Sequence, residues 1–348
     1  MTSKQVERRY LIIAGIYNLS ASLIWGINTL FLLNAGLDIF EVFITNGVFT
    51  ASMSLFEIPT GVLADTRGRR ASFLLSVVII LIGTLGYVWV AESSGSLMMF
   101  NLMSVILGLG YTFYSGAVDA WLVDALAASG YEGELDQVFA RGGIVFGAAM
   151  LVGTLGGGLL GTINLSLPYL VRALLLGGVF VVAWRGMHDM GYEPRTMILS
   201  ELPGEMKKIA SASMRYGWQV QGIKLLMLAS MVQAFFFAWG YHSWQPYFLG
   251  LLQREDAIWV AGIIGPTRMA CMHKMIPSEQ RATIISFDSL VGNAGSVGGQ
   301  VGLGYLARQQ SLTMGYITGG LVTLLSLPIL LVFRARRMPE DQMNGSEQ

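Results

Sequence analysis

The sequence predicts an all-α polytopic membrane protein. Of its 348 residues, 53% are hydrophobic and 13% are charged, and the mean hydropathy is +0.57. A soluble domain carries about 25% charged residues, so this chain lacks the charge that a water-facing surface needs. Its apolar residues form long continuous runs, unlike the short alternating segments of a membrane barrel, and long runs predict helices.

A membrane-spanning helix needs about 20 mostly apolar residues, and ten runs approach that length. They are Leu11–Leu33, Ile39–Ala64, Ser72–Ala91, Leu97–Leu122, Val138–Ile163, Leu167–Trp184, Leu225–Leu251, Ile258–Met275, Ile284–Leu306 and Leu312–Phe333. A polar break follows the sixth run. The pattern predicts an N-terminal six-helix bundle over 1–185, an amphipathic cytoplasmic linker over 186–222, a partial second bundle of about four spans over 223–337, and a cytoplasmic tail over 338–348.

The basic residues predict the orientation of these spans. If the N-terminus lies inside, 18 of the 22 Lys and Arg residues fall in cytoplasmic segments. Such a bias is the usual mark of the cytoplasmic side. The first apolar run is too long for a signal peptide and more spans follow it, so it is interpreted as an uncleaved first helix. We therefore expect both termini in the cytoplasm.

Several function classes are excluded by composition. The net charge is zero, so no basic excess exists to bind nucleic acid. A single cysteine, Cys271, rules out an intramolecular disulfide framework and a cysteine-based metal cluster, and only three histidines argue against a His-rich metal site. The sequence contains no phosphate-binding loop and no catalytic spacing of Ser, His, Asp or Glu. We expect no cofactor, no metal and no enzyme activity.

The turn between the second and third spans carries a compact motif. It reads Gly61-Val-Leu-Ala-Asp65-Thr-Arg67-Gly68-Arg69-Arg70. Gly68 can adopt the positive φ of a tight turn, and Gly61 is expected to allow close helix approach. A carboxylate at the end of a helix, as at Asp65, is disfavoured unless it has a partner.

This stretch resembles the signature loop of the major facilitator superfamily, Gly-x-x-x-Asp-Arg/Lys-x-Gly-Arg/Lys-Arg/Lys. Thr66 stands where a basic residue is usual. Three further segments are similar to a bacterial subgroup of these transporters, so the resemblance covers nearly the whole chain. They are Phe56–Gly61, Trp244–Phe248 and Pro277–Thr283.

The resemblance implies two helical bundles that alternate access to a central pocket. It also implies a cytoplasmic latch that contains Gly61, Asp65, Gly68, Arg69 and Arg70, with Asp124 at the end of the fourth span as the partner carboxylate. The alternative interpretation of the arginines is the charge bias of any cytoplasmic turn.

The family pattern of six plus six spans is broken in the second half. Ile258–Met275 contains Arg268 and His273, and the second copy of the Gly-x-x-x-Asp turn is absent. We interpret this run as the start of the eighth family span fused to the end of the tenth. Roughly two and a half helices would then be missing from the second bundle.

Ionisable residues inside spans are costly and are often functional. Glu57 lies in a polar stripe on the second span with Asn46, Thr50, Ser54 and Gly61, and Asp119 in another on the fourth span with Tyr111 and Ser115. Both carboxyl groups are candidates for proton coupling. The alternative for each is a structural pair with a neighbouring helix.

Two further polar residues complete the candidates. Arg172, near the outer end of the sixth span, could bind an anionic substrate, but an arginine that snorkels to the interface is the favoured interpretation. Asn293 lies in a stripe with Ser289, Ser296 and Gln300, and with Tyr111 it is a substrate candidate.

The leading functional hypothesis is a secondary active transporter. It would move a small organic solute or drug across the inner membrane of the cell as a monomer within the lipid bilayer, driven by protons. The alternative is a truncated, transport-inactive variant of such a transporter. An intramembrane enzyme is the weakest of the three hypotheses.

Overall fold

The structure is a computed structural model that describes residues 1–93, 95–114, 116–192, 204, 207, 211, 221–252 and 281–335. The regular secondary structure of these residues is helical. The described helices are α1 (Ser3–Ser22), α2 (Asn28–Asn34), α3 (Ile39–Arg67), α4 (Arg69–Glu92), α5 (Leu97–Tyr114), α6 (Ala117–Ala128), α7 (Leu135–Ile163), α8 (Leu167–Gly186), α9 (Gln221–Leu252), α10 (Arg281–Gln309), α11 (Leu312–Leu324) and α12 (Ser326–Ala335).

The all-α class and most predicted spans are confirmed by these helices. Local sequence explains several of the ends. Asp38 caps α3 by accepting from the backbone N–H groups of Phe40 and Glu41, at 2.8 and 3.0 Å, and the Glu41 carboxylate accepts from the N–H of Asp38 at 2.9 Å. Ser311 caps α11 by accepting from the N–H of Met314.

Two predicted spans are interrupted. The first divides into α1 and α2 around residues 23–27, and the fourth divides into α5 and α6. Gly116, just before α6, has φ 71° in the left-handed region, which glycine adopts at little cost. The continuous hydropathy of these runs did not indicate either break, because a hydropathy value depends on the side chain alone and not on the backbone conformation.

Seven stretches of the described residues are long and apolar enough to cross a membrane. They are Ile39–Glu57, Arg69–Glu92, Leu97–Ala128, Leu135–Ile163, Leu167–Gly186, Lys224–Ser243 and Leu312–Ile329. The chain is therefore a multi-pass membrane protein. The predicted span Ile258–Met275, the tail over 338–348 and most of the linker lie outside the described residues.

The chain divides into two compact units, the first formed by Met1–Leu199 with Trp244–Gly262 and the second by Ser200–Ser243 with Ile263–Gln348. In the first unit, α5 packs against α3 and α4, while α1 packs against α7 and α8, and α4 also contacts α8. Fully buried side chains such as Ile13, Phe31, Phe73 and Trp121 fill its interior.

In the second unit, α10 packs against α11, and α11 contacts α12. The buried indole of Trp239 on α9 lies edge-on to Tyr316 of α11, with ring centroids 4.8 Å apart. The Ser243 hydroxyl donates to the Tyr316 hydroxyl at 3.0 Å. These aromatic and polar contacts tie α9 to α11.

Each unit contains a helix pair in near-backbone contact at two glycines four residues apart, and we call such a contact a glycine seam. In the first unit, Gly153 and Gly157 of α7 lie against the carbonyl oxygens of Leu19 and Leu23, on and just after α1. A side chain on Gly157 would overlap the Leu23 carbonyl. In the second unit, Gly295 and Gly299 of α10 lie against the carbonyl oxygens of two α9 residues, Met231 and Phe235.

The seams therefore share one geometry, with glycines four residues apart that face carbonyls four residues apart. Small residues at membrane helix interfaces permit this approach.

Candidate functional site

The turn between α3 and α4 is a single residue. α3 ends at Arg67, α4 begins at Arg69, and Gly68 between them has φ 99° and ψ 152°. A residue with a side chain rarely adopts this φ. The glycine in the motif is thus required by the reversal of the chain, which sets both following arginines at the start of α4.

Arg69 and Asp124 are brought together as a pair. The Arg69 Nε and Asp124 Oδ2 atoms are 3.9 Å apart, with side chains 23% and 33% exposed. That separation is an ion-pair distance, longer than a hydrogen bond. Partly exposed pairs of this kind stabilise a fold by about 0–1 kcal/mol, so this pair contributes little to the stability of the first unit.

The other motif residues are placed differently. Gly61 lies on α3. If it carried a Cβ atom, no described atom would lie within 4 Å of that carbon. The expectation that Gly61 allows close helix approach is therefore wrong within the described residues, since nothing approaches that face. Asp65 lies in the last turn of α3, and its side chain is outside the described part of the structure.

Sequence reasoning missed Asp189. Its Oδ1 atom accepts from the backbone N–H of Arg70 at 2.9 Å, and the Arg70 Nη2 donates to the carbonyl oxygen of Trp184, at the end of α8, at 2.7 Å. No spacing rule links positions 70 and 189. The signal in the sequence was Gly68 itself. A helix that follows a glycine has no side-chain cap at that position, so another group has to accept from its first backbone N–H groups.

The two candidate proton carriers lie in unlike surroundings. Asp119, in the first turn of α6, has an exposed side chain whose Oδ1 accepts from the Tyr10 hydroxyl at 3.1 Å. It follows the break at Gly116, so a carboxylate sits at the positive end of a half-helix. Glu57 is half-buried on α3.

The polar stripe above Glu57 makes hydrogen bonds within α3. Thr50 and Ser54 donate their hydroxyls to the carbonyl oxygens four residues earlier, at 3.1 Å each. Asn46 donates to Val42 and accepts from Asn28 of α2 at 3.0 Å. The stripe is thus one face of the helix, as the spacing predicts.

Arg172 is buried inside the first unit with 1% of its surface exposed. Its Nε donates to the Thr84 hydroxyl and its Nη2 to the Tyr111 hydroxyl, both at 3.1 Å. The interpretation of Arg172 as a snorkelling interfacial residue is therefore wrong. The guanidinium is directed inward because α4 and α5 present hydroxyl acceptors to it.

An aromatic ring lies over this cation. Tyr111 lies with its ring centroid 5.8 Å from the Arg172 Cζ atom, a cation–π distance. Tyr169 and Tyr87 are buried nearby with their rings stacked, and the Tyr169 hydroxyl donates to Asn28 at 2.8 Å. Within the described residues no carboxylate pairs with Arg172.

The last candidate, Asn293, is half-buried on α10 of the second unit. Its stripe neighbour Ser296 donates to the carbonyl oxygen of Gly292 at 3.1 Å and reaches that of Ala234 on α9 at 3.5 Å. Part of this stripe therefore serves the α9–α10 seam. The side chain of Ser289 lies outside the described residues.

No protein-family model matches the chain. A tetracycline resistance protein, class G, from Vibrio anguillarum is 31% identical over 129 residues, which cover 37% of this chain and 30% of that protein. The chain thus spans under a third of the length of this curated relative.

Solved transporter structures match nearly the whole chain. The nucleoside transporter NupG aligns with a TM-score of 0.62 at 11% identity, over 94% of this chain and 99% of that one. The human organic anion transporter MFSD10 aligns with 0.59 at 13%, over 95% and 100%. A peptide transporter POT in complex with sulfate aligns with 0.66 at 13%, over 94% of both chains. The resemblance drawn from the turn motif is confirmed at the level of the fold: this chain is a multi-pass membrane protein with the fold of the major facilitator superfamily.

Proposed function

We propose that the protein is a secondary active transporter that moves a small organic solute or drug by alternating access, driven by protons. The observation that carries the proposal is the α3–α4 turn. There Gly68 at φ 99° places Arg69 3.9 Å from Asp124, in a fold shared with the three solved transporters.

The substrate class is supported by what those relatives are named for. The three solved structures are named as transporters of nucleosides, organic anions and peptides, and the curated relative is named as a tetracycline resistance protein. All are small organic molecules. We propose that Arg172, Tyr111 and Asn293 contribute to substrate handling, and that Glu57 and Asp119 carry the proton.

We propose the latch role for the turn motif and Asp124, and a monomer in the inner membrane with both termini in the cytoplasm. The bias of Lys and Arg toward one side supports this orientation. Labelling of a cysteine placed at Arg67 with a membrane-impermeant reagent tests it. Reaction only in permeabilised cells supports the orientation, and reaction in intact cells would place the turn outside.

Flux into proteoliposomes tests the function. We would reconstitute the full chain, impose a pH gradient, and follow radiolabelled tetracycline, uridine and dialanine. The proposal expects accumulation of at least one probe above protein-free vesicles, with collapse on addition of a protonophore. Folded protein that moves other organic solutes without any response to the gradient would contradict proton coupling.

A transport-inactive variant is the second candidate. Between α9 and α10 the chain has 28 residues, which is room for one membrane span at most. The second bundle would then hold about four spans, as the sequence predicts. Absence of flux for every probe and a broader metabolite set, from protein that unfolds cooperatively, would favour this candidate.

A further inference from the structure

The start of α4 is capped by a residue distant in sequence. Helix N-termini leave backbone N–H groups without partners, and Ser, Thr, Asp or Asn at the cap position usually satisfies one. Here the cap position is Gly68, which has no side chain. The Asp189 carboxylate takes that role by accepting from the N–H of Arg70 at 2.9 Å. It also places a negative charge at the positive end of the helix dipole.

Asp189 is held in place by the segment Met187–Tyr192, which we call the strap. Met187 is fully buried, and its N–H donates to Ala183 of α8 at 2.8 Å. The indole N–H of Trp121 on α6 donates to the carbonyl oxygen of His188 at 2.7 Å. Gly191, at φ 71°, lies against the carbonyl oxygen of Asp124. The strap is therefore anchored on both sides of Asp189.

The strap and the turn fit each other closely. A side-chain carbon on Gly68 would lie 2.5 Å from Asp189 Oδ2 and 3.6 Å from the ring of Tyr192. The Arg70 side chain donates to the carbonyl oxygen of Trp184, at the end of α8. The turn that presents Arg69 to Asp124 is thus held by contacts with the strap and with the end of α8.

We propose that Asp189 is a positioning residue of the α3–α4 turn. By capping α4 it fixes the first turn of that helix, and so fixes the direction in which Arg69 faces Asp124. The strap lies shortly before Ser200 in the chain, where the second unit begins. Asp189 therefore ties the chain that leads into the second unit to the α3–α4 turn. Its importance for transport rests on the proposed function, but the capping itself does not.

The test uses the full chain with Cys271→Ser, which removes the sole cysteine, and Ser72→Cys as a reporter. Ser72 lies in the first turn of α4 and is 5% exposed, so a cysteine there reacts with a maleimide only when that turn opens. Loss of a cap typically corresponds to about a 2- to 30-fold increase in the equilibrium constant for opening of that turn. We expect Asp189→Ala to raise the labelling rate within that range.

The conservative variant separates capping from general disturbance. Asp189→Asn keeps an acceptor of the same reach, and asparagine caps as well as aspartate; it loses only the charge at the helix dipole, so its labelling rate should rise clearly less than that of Asp189→Ala. Asp136→Ala removes an exposed carboxylate from the first turn of α7 and is the matched control, with no change expected. If the Ala variant does not fold, Asp189→Ser, whose shorter side chain falls short of the Arg70 amide, replaces it under the same criteria.

An unchanged rate in Asp189→Ala, or an equal rise in Asp189→Asn, would overturn the proposal. Labelling needs no substrate, so this outcome is independent of whether flux is found. Where flux is found, the proposal further expects Asp189→Ala to slow it and Asp189→Asn to restore it. Loss of flux in both variants, with labelling raised in neither, would show that the residue acts otherwise.

Discussion

The Arg172 guanidinium donates to the Thr84 hydroxyl at 3.1 Å in the interior of the first unit. This bond joins α8 to α4 and holds a positive charge away from both water and lipid headgroups. Buried charges are tolerated only where surrounding groups solvate them. Here two hydroxyls and the face of an aromatic ring supply that solvation. Each acceptor should therefore contribute more to stability than the partner of an ordinary hydrogen bond.

The first prediction tests this dependence. Thr84→Val removes the acceptor at constant volume and should lower the free energy of unfolding by about 1–3 kcal/mol, because a charged donor is left buried without it. In an Arg172→Met background the same change should cost less than half as much, since the donor is gone. Thermal unfolding in detergent, followed by tryptophan fluorescence, measures the cycle. Equal costs in both backgrounds would mean that the two side chains do not interact energetically.

A second prediction concerns the glycine seams. Gly157→Ala and Gly299→Ala would each press a methyl group into a backbone carbonyl, so each should destabilise its unit by at least about 2 kcal/mol. The adjacent glycines are matched controls. The nearest atoms to a side chain on Gly156 and Gly298 are leucine and phenylalanine carbons at 3.9 and 3.6 Å, so alanine there should be neutral or slightly stabilising. Similar unfolding temperatures for the seam variants and their controls would argue against the close approach.

The break in the fourth span gives a third prediction. No described atom lies within 4 Å of a side-chain carbon on Gly116, so Gly116→Ala should cost only the backbone strain of its positive φ, about 1 kcal/mol. Gly147→Ala in the middle of α7 has equally open space and an ordinary helical φ, and it should be neutral or stabilising. If both substitutions raised the unfolding temperature, the fourth span would be a continuous helix.

The ion pair of the turn supports a fourth prediction. Arg69→Asp should change stability by less than about 1 kcal/mol, because both partners are partly exposed, yet it should abolish flux if the pair acts as a latch. The double swap Arg69→Asp with Asp124→Arg should recover flux in part. Retained flux in the single variant would leave the pair without a role in transport.

A fifth prediction addresses proton coupling. Glu57→Gln keeps the size of the side chain but cannot carry a proton, so it should abolish accumulation driven by a pH gradient. Glu92→Gln, at the exposed end of α4, is the matched control and should leave accumulation unchanged. Full accumulation by the Glu57 variant would remove this residue from the coupling mechanism.

Much of this fold could be predicted because hydrophobic runs are local. α3, α4, α7 and α8 begin and end within a few residues of the predicted spans. The approach of Arg69 to Asp124 is a different case, since only the resemblance of the turn motif to the major facilitator superfamily implied Asp124 as the partner carboxylate. The helix bounds, in contrast, depend on short sequence windows, where composition and spacing carry the information.

The features that escaped prediction depend on contacts between distant residues. Arg172 near the end of an apolar run suggests a headgroup contact, and only the opposed hydroxyls of Thr84 and Tyr111 direct it inward. Asp189 gains its role from a turn 119 residues earlier. Neither relationship leaves a periodic trace in the sequence.

In both glycine seams the two glycines are four residues apart, and this spacing has a consequence for mutational tolerance. In a saturation library read out by expression, positions 153, 157, 295 and 299 should accept no other amino acid, while 156 and 298 should accept many. The pattern of tolerated codons would then repeat every four positions along α7 and again along α10. This spacing of intolerant positions would locate the glycine seam of each unit without purification of any variant.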